Sequence, residues 1–360
     1  MREPVSKPRQ AAFIPGDGIG PEVAWAARRC VEATGAALSW VEVPFGTGRM
    51  TVSGSVLTRS ASRELLATGL ALKGPLDGSG PSSDRNPNTV LDELFEVFAS
   101  VRHCRSFGAG PSTTALDLVV IAEQPASGGA VMERDPQSDD WTDLRPFLGE
   151  GATAAMIREF DPAAARAFFE FAFSHAVGTG RRKVTLVHRA NVHRKTDGAW
   201  RKIGEEVARR YPGVACEDLL ADHVAMQLAR LPERFDVLVV SPLYGEIVGD
   251  FAVGLAGGVE FVPEILVGRR GMLFTTVHGT APRFAGLRQA NPTAMILSGA
   301  ELLRAAGAPE AAQIIELSVT ETLNRVRPGG IPAAGGLADA VIERIRLAHV
   351  PGASAAIGGA

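Results

Sequence analysis

The segment Phe13-Ile14-Pro15-Gly16-Asp17-Gly18-Ile19-Gly20-Pro21-Glu22 joins an apolar run to a glycine-rich turn and the start of a helix. Alternating glycines permit backbone angles that other residues rarely adopt, and a Pro-Glu pair is typical of a first helical turn. The segment therefore predicts a strand, a tight turn and a helix. Its spacing is G-x-G-x-G rather than the G-x-G-x-x-G of dinucleotide-binding loops, so alone it is weak support for a nucleotide ligand.

Outward from this segment, short apolar runs alternate with amphipathic stretches along the 360 residues. This alternation predicts an α/β fold whose sheet is covered on both faces. The predicted strands are residues 11–14, 119–121, 184–187 and 237–240. The predicted helices are residues 21–34, 88–100, 162–177, 199–210 and 293–306.

The composition excludes several classes of protein. An apolar content of 46% with 21% charged residues is ordinary for a globular domain. A net charge of −3 provides no general attraction to nucleic acid or to anionic membranes, so neither is expected as a partner. The N-terminal residues lack the apolar core of a signal peptide, and the expected location is the cytoplasm. The three cysteines are far apart, which favours reduced thiols over a metal site.

Glu246 and Asp250 lie four residues apart after the apolar run 237–240. On a helix this spacing puts both carboxylates on one face, where they repel each other unless a cation lies between them. A divalent ion with oxygen ligands, Mg²⁺ or Mn²⁺, would supply that cation. The alternative is an exposed acidic helix face, and for the pair taken alone it is the better interpretation.

Two further segments combine turns with polar side chains. His188, Arg189 and Asn191 follow the run 184–187, and polar residues at strand ends commonly bind ligands in α/β sheets. A solvated loop with a capping Asn explains them equally well. The segment 277–292 offers backbone donors, a histidine and basic side chains, which suit an adenine nucleotide. The alternative there is a Pro/Gly connector.

In this order, five segments of the chain resemble those of the β-decarboxylating dehydrogenases, the family of isocitrate, isopropylmalate, homoisocitrate and tartrate dehydrogenases. The resemblance spans roughly residues 11–345. No single segment is decisive, but five in the same order are a specific signal. The matching segments are residues 14–22, 73–76, 184–197, 236–250 and 278–292.

The resemblance implies a two-domain α/β fold that is not a Rossmann fold, with the active site in a cleft between the domains. Residues 1–105 and 258–350 would form the large domain, on the nucleotide side, and residues 106–257 the small domain. Family members are dimers, or dimers of dimers, that exchange an arm, here about residues 134–155. The implied partners are a second copy of the chain and a small-molecule substrate. The tail, residues 351–360, is expected to be disordered.

Family chemistry transfers a hydride from a 2-hydroxy acid to NAD(P)⁺ and then releases CO₂ from the β-keto acid, with a divalent metal polarising the hydroxyl. By resemblance, Asp222, Glu246 and Asp250 would bind Mg²⁺ or Mn²⁺, with Glu246 in place of a shorter Asp. Arg189, Asn191 and Asp222 would act in catalysis in the cleft of the partner protomer. The implied substrate contacts are Asn86, Asn88, Asp92, Arg102 and Glu123.

The chain departs from the family at several catalytic positions. Asp92 and Ala122 stand where two carboxylate-binding arginines are expected, and Gly129 replaces a tyrosine acid. Arg189 replaces a lysine base, and an arginine stays protonated at neutral pH. Losing a positioned acid or base costs about 10²–10⁴-fold in rate each. We therefore expect no useful turnover of isocitrate or isopropylmalate.

The nucleotide segment keeps more of the family pattern. The implied cofactor contacts are His278, Gly279, Thr280, Ala281, Pro282, Arg283, Phe284 and Asn291. After the proline, NAD-using members tend to carry Asp, and NADP-using members carry a Lys-Tyr pair. Arg283-Phe284 is similar to the second arrangement, because a cation there can pair with a 2′-phosphate. The expected cofactor is therefore NADP, with NAD as the alternative.

Three functional hypotheses follow from the sequence. The first is a diverged NADP- and metal-dependent dehydrogenase with an altered substrate, in a specialised biosynthetic pathway, using His188, His223 or water as a substitute proton carrier. The second is decarboxylation, elimination or isomerisation on the same scaffold without net redox change. The third is a regulatory chain without catalysis, which the joint loss of the Lys base and Tyr acid favours. The first hypothesis ranks somewhat ahead of the third.

Overall fold

The computed structural model describes residues 9–43, 45, 57–78, 86–107, 115–124, 131–134, 154–325 and 334–348. The strands within these residues, β1 to β12 in chain order, are Arg9–Ile14, Leu38–Glu42, Leu70–Lys73, Val97–Arg105, Asp117–Glu123, Val131–Arg134, Ala155–Arg158, Lys183–His188, Ala215–Leu220, Val237–Val240, Pro263–Gly268 and Gly271–Thr276. The α-helices within them, α1 to α10, are Gly20–Ala33, Arg59–Thr68, Pro87–Phe95, Pro162–Gly178, Thr196–Ala208, Ala221–Arg230, Gly245–Ala256, Thr293–Ala305, Pro309–Arg325 and Ala334–Ala348.

One mixed sheet of ten strands organises these elements, in the order β2-β1-β3-β12-β11-β4-β5-β10-β8-β9. The strands β2, β1, β3 and β12 form a parallel wing. The strands β5, β10, β8 and β9 form a second parallel wing. Antiparallel pairing of β11 with β12, of β11 with β4, and of β4 with β5 joins the two wings. The α/β fold predicted from the alternating pattern is therefore confirmed.

Helices cover both faces of the sheet because its strands bury side chains in both directions. In β10, Val237 and Val239 belong to one core cluster, whereas Leu238 and Val240 belong to another. We call the face covered by α2, α3, α6 and α7 the front face. The face covered by α1, α4, α5, α8, α9 and α10 is the back face.

The glycine-rich turn after β1 has the predicted geometry. Gly16 and Gly18 both have positive φ, at 85° and 60°, and α1 begins at Gly20 with a proline in its first turn. A Cβ on Gly18 would lie 2.0 Å from the carbonyl oxygen of Thr280. Glycine is required here for two reasons, since the backbone angle disfavours a side chain and the neighbouring chain leaves no room for one.

The predicted helices and strands match the structure within a few residues, with one larger error. The helix predicted for residues 88–100 ends at Phe95, and residues from Val97 onward form β4. Glu96 adopts a left-handed conformation with φ of 53° and ends the helix. The strand Val97–Arg105 begins with an apolar run. Such a run has no clear hydrophobic periodicity, so the sequence does not distinguish a new strand from a continuation of the helix.

Parts of the expected domain organisation lie outside the described residues. These include residues 135–153, the body of the expected dimer arm, and the tail 351–360. The antiparallel pair of β6 and β7 flanks residues 135–153. The division into two domains at residues 105 and 258 stays a prediction. Among the described helices, none is both long enough and apolar enough to cross a bilayer.

Candidate active site

A row of polar side chains crosses the front face of the sheet where the two wings meet. Glu264 in β11 is paired with Thr275 in β12 and with Arg102 in β4. Leu72 in β3 is paired with Phe274, which places Lys73 level with Thr275. These residues, Lys73, Thr275, Glu264 and Arg102, are the polar row. Lys73, Thr275 and Arg102 are at most 5% exposed, so the charges of Lys73 and Arg102 must be matched inside the protein.

Arg102 is the cation at the β4 end of this row, and it contacts three carboxylates. Its Nε lies 2.8 Å from Oε1 of Glu264, its Nη2 2.7 Å from Oε2 of Glu246, and its Nη1 2.9 Å from Oδ1 of Asp250. Burial opposes the charge of Arg102, but Glu264 and Glu246 outweigh it and raise the pKa of the guanidinium above its ordinary value. Each nitrogen of Arg102 therefore already donates to a carboxylate of the same chain.

The predicted helical spacing of Glu246 and Asp250 is confirmed, since both lie on α7. Their side chains are 67% and 62% exposed, and each uses only one carboxylate oxygen in its contact with Arg102. Carboxylate oxygens of this kind are the ligands that Mg²⁺ and Mn²⁺ prefer. The cation that separates the two carboxylates in this chain is the guanidinium of Arg102, which the spacing alone does not reveal.

The other residues predicted for catalysis lie apart from this pair. Oδ2 of Asp222, at the start of α6, lies 3.0 Å from Nη1 of Arg189, which follows β8. Among the described residues of one chain, no three His, Cys, Asp or Glu side chains come together as a metal site. Asn191 is exposed beside Arg189. The convergence of Asp222 with Glu246 and Asp250 thus stays a prediction about two chains.

Lys73 connects the polar row to α3. Its Nζ donates to Oδ1 of Asn88 over 3.0 Å, and Asn86 caps the same helix by accepting from the backbone of Asn88. Burial lowers the pKa of Lys73 to about 8, against the opposing influence of Asp92 and Glu264. Burial also raises the pKa of Asp92 to about 6, while Lys73 opposes that rise. Oδ1 of Asp92 is buried without a hydrogen-bond partner among the described residues.

Glu123, at the end of β5, lies in a second buried polar contact. Its Oε2 accepts from Nε1 of Trp200 over 2.5 Å, and burial raises the pKa of Glu123 to about 7. His188 is likewise buried, with Nδ1 accepting from the backbone of Ala190 and Nε2 lying 3.1 Å from Asp218. Both ring nitrogens of His188 are therefore occupied, which argues against its proposed use as a proton carrier.

The predicted nucleotide segment lies against the glycine-rich turn. Backbone N–H of Ile19 donates to the carbonyl of Thr280 over 2.9 Å, and Glu22 accepts from the backbone N–H of Gly286 over 2.9 Å. His278 donates through Nδ1 to the carbonyl of Gly279, and its Nε2 is a buried acceptor without a partner in the described part of the chain. Burial lowers the pKa of His278, which favours the neutral ring.

The remainder of this segment is open. A Cβ on Gly279 would meet no atom of the described residues within 4 Å. Ala281 has a positive φ of 39°, and the following residues form a short 3₁₀ turn. Arg283 and Phe284 are exposed there. The structure therefore brings the first and last of the five matching segments together, with Asn291 accepting from the backbone of Thr293 at the start of α8.

Three residues of this region escape prediction from the sequence. Lys73 belongs to a matching segment but carries no predicted role, although a lysine that ends an apolar strand is a signal of a buried charge. Glu264 is a single acid within the strand PEILVG, which is a similar signal. Trp200 carries no such signal, because only the folded chain places its indole beside Glu123.

Known proteins match this chain over most of its length. The family model for isocitrate/isopropylmalate dehydrogenase matches residues 10–331. A mitochondrial regulatory subunit of NAD isocitrate dehydrogenase from Dictyostelium discoideum is 32% identical over 94% of this chain and 93% of its own length. A 3-isopropylmalate dehydrogenase from Methanothermobacter thermautotrophicus is 34% identical over 88% of this chain and 91% of its own length. The crystal structure of isocitrate dehydrogenase from Methylococcus capsulatus matches with a TM-score of 0.83 at 32% identity, covering 94% of this chain and 99% of that chain.

The two-winged sheet with helices on both faces defines an α/β protein, and its match to known isocitrate and isopropylmalate dehydrogenases confirms the expected resemblance. The chain belongs to the isocitrate/isopropylmalate dehydrogenase family. Members of this family are β-decarboxylating dehydrogenases that use NAD or NADP and a divalent metal.

Proposed function

We propose that this protein is a diverged, NADP-preferring and metal-dependent 2-hydroxy-acid dehydrogenase whose substrate is neither isocitrate nor isopropylmalate. The observation that carries the proposal is the state of Arg102. This arginine is the one carboxylate-binding arginine that the resemblance retains, and its three nitrogens are bonded to Glu264, Glu246 and Asp250. A malate-type acid would meet a guanidinium whose three nitrogens each already donate to a carboxylate, together with three negative charges.

Asp92 supports a change of substrate rather than a simple loss of binding. It stands where an arginine is expected, and its Oδ1 is buried without a partner among the described residues. A buried, unpartnered carboxylate oxygen favours a hydrogen-bond donor, so an amino or other cationic group on the substrate would suit it. Lys73 contributes a partial counter-charge nearby and keeps Asp92 ionised for part of the neutral range.

The cofactor fits the residues that follow β1 and β12. The buried Nε2 of His278, without a partner among the described residues, would accept from a ligand donor, and the open backbone at Gly279 leaves room for a base. Arg283 would pair with the 2′-phosphate of NADP. When bound, the nicotinamide would accept the hydride of the substrate. The chain's own contribution would be to hold the nucleotide between residues 14–22 and 278–291.

The residues of one chain supply part of a ligand set for Mg²⁺ or Mn²⁺. Glu246 and Asp250 offer oxygen ligands, and Asp222 of a second chain would complete the set if the protein forms the expected homodimer. The bound ion would polarise the substrate hydroxyl. Arg102 would then share the two carboxylates with the ion, which predicts weaker metal binding than in a site without a competing guanidinium.

Steady-state assays test the proposal directly. The purified protein, with Mg²⁺ or Mn²⁺ and either NADP⁺ or NAD⁺, should give no useful turnover of isocitrate or isopropylmalate. A panel of 2-hydroxy acids that carry an amino group should include the substrate, detected by nicotinamide absorbance. Robust turnover of isocitrate would contradict the proposal. Consumption of an acid without reduced cofactor would favour decarboxylase, lyase or isomerase chemistry instead.

A regulatory role is the second candidate. Arg189 stands at the position of the lysine base and is paired with Asp222 over 3.0 Å, so this position holds a paired cation rather than a proton acceptor. One relative of this chain, from Dictyostelium discoideum, is itself named as a regulatory subunit. Affinity purification from the source cells tests this role. Recovery of a catalytically complete family member with this chain would support it, and recovery of a homodimer alone would oppose it.

A further inference from the structure

A cavity of about 450 Å³ opens on the back face of the sheet, between β4, β5 and the helices α4, α8 and α9. We call it the back cavity. His103 lines it, whereas the preceding residue, Arg102, lies in the polar row. Consecutive residues of a strand point to opposite faces of a sheet. The back cavity therefore lies directly behind the candidate active site and is separate from it.

Most charges of the back cavity are paired within its own lining. Nδ1 of His103 lies 2.9 Å from Oε1 of Glu301, and this contact raises the pKa of His103 even though burial opposes the charge. Arg181 donates to Asp117 over 2.5 Å. Arg304 donates to Glu316, which also lines the cavity. Each of these three acids thus contacts a basic side chain of the same lining.

Arg105 is the exception. It lies at the end of β4 and lines the back cavity, and no carboxylate of the described residues forms an ion pair with it. Beside it, the wall is apolar and includes Phe107, Phe261 and Leu297, all buried. The rings of Phe107 and Phe261 lie 6.2 Å apart at an interplanar angle of 38°, so they form a continuous aromatic surface. A cation without a carboxylate partner in the described chain therefore adjoins an apolar wall.

We propose that the back cavity binds a small organic monocarboxylate, with its carboxylate on Arg105 and its apolar body against Phe107, Phe261 and Leu297. The volume lies within the range of about 300–1,000 Å³ that is typical of small-molecule sites. A planar guanidinium matches a carboxylate in geometry, and the aromatic wall favours an apolar body over an inorganic anion. Because Arg105 is a single cation, the site favours a ligand with one negative charge over a ligand with two or three. This site is independent of the proposed dehydrogenase activity.

Calorimetric titration of the full-length protein with benzoate tests the proposal. Benzoate should bind with Kd on the order of 1 mM, as expected for a ligand of its size. Benzamide has the same shape without the charge and should bind at least about tenfold more weakly, as should inorganic phosphate, which lacks the apolar body. Equal binding of benzoate and benzamide would overturn the assignment of Arg105 as the anchor.

Variants locate the binding. Arg105→Gln should weaken benzoate at least about tenfold. Arg63→Gln changes an exposed arginine on α2 that does not line the back cavity, and it should leave the affinity unchanged. Thr320→Trp, which fills the back cavity from α9, should abolish binding while leaving the polar row untouched. If benzoate does not bind, or binds Arg105→Gln as well as the unaltered protein, the proposal is wrong. The second result would place any carboxylate elsewhere, including at the front face.

Discussion

The two ends of the candidate active site are held together by different kinds of interaction. On the nucleotide side, main-chain groups make the contacts, such as Ile19 N–H to Thr280 and Asp17 N–H to Pro75 over 2.8 Å. In the polar row, charged side chains make them, as in the three ion pairs of Arg102. Backbone contacts survive most side-chain changes, whereas a side-chain network changes with every substitution. The nucleotide side therefore depends on backbone conformation and close approach, whereas the polar row depends on which charged side chains are present.

The largest effect should come from breaking the backbone contact on the nucleotide side. Gly18→Ala combines a left-handed backbone with a Cβ 2.0 Å from the Thr280 carbonyl, so we expect a loss of about 4 kcal/mol in unfolding free energy. Gly35→Ala is the matched control, since Gly35 also has a positive φ of 69°, but its Cβ would meet no atom of the described residues within 4 Å. It should lose about 1 kcal/mol. Urea denaturation measures both, and equal losses would contradict the close-approach argument.

Arg102→Gln should be the next largest change, because it leaves Glu264 partly buried without its cation. Two of the three partners are exposed, so we expect a loss of about 3 kcal/mol, at the low end for a broken buried ion pair. The same variant frees Glu246 and Asp250 and should bind Mn²⁺ about tenfold more tightly. Thermal melts with and without Mn²⁺ report both effects. An unchanged Mn²⁺ affinity would show that Arg102 does not compete with the ion.

Glu123 offers a test of a buried carboxyl on the back face of the sheet, where it contacts Trp200. Its pKa rises from an ordinary 4.5 to about 7, chiefly through burial, so the folded state holds the proton more tightly than the unfolded state. The contribution of Glu123 to stability therefore falls as the pH rises from about 4.5 to about 7. Glu123→Gln removes this titration. Relative to the unaltered protein, the free energy of unfolding of the variant should therefore rise by about 2 kcal/mol between pH 5 and pH 8.

Denaturation series at several pH values measure the difference between Glu123→Gln and the unaltered protein. Glu159→Gln is the control, because Glu159 is an exposed carboxyl and its replacement should leave the pH profile unchanged. A stability difference for Glu123→Gln that does not vary with pH would show that burial does not hold the proton on Glu123.

The smallest effect is expected on the nucleotide side, at the exposed Arg283. Arg283→Ala should weaken NADPH about tenfold, or about 1.4 kcal/mol, and leave NADH unchanged, because only NADPH carries the 2′-phosphate. Arg270→Ala, at the exposed turn between β11 and β12, is the matched control. Fluorescence titrations measure the affinities of both variants and of the unaltered protein for NADPH and NADH. Tighter binding of NADH than of NADPH by the unaltered protein would refute the cofactor preference.

The sequence predicts most local structure well, because each strand and helix carries its own period. The strand Val237–Val240 has the predicted bounds, and the pair Glu246 and Asp250 lies on one helix as the spacing requires. The helix predicted for residues 88–100 is wrong beyond Phe95, because Glu96 ends α3 in a left-handed conformation that no glycine signals in the sequence. The family resemblance, which the comparisons confirm, also comes from local segments taken in order.

Only the tertiary structure decided which charges neutralise one another. Lys73, Glu264 and Arg102 come from three strands far apart in the chain, and the sheet register sets them in one row. The sequence by itself determined the residue types, the glycine turn and the local elements, since these depend on neighbours along the chain. The pairing of Arg102 with Glu246 and Asp250, and the position of Arg105 in the cavity behind it, depend on contacts between distant segments, which no local pattern encodes.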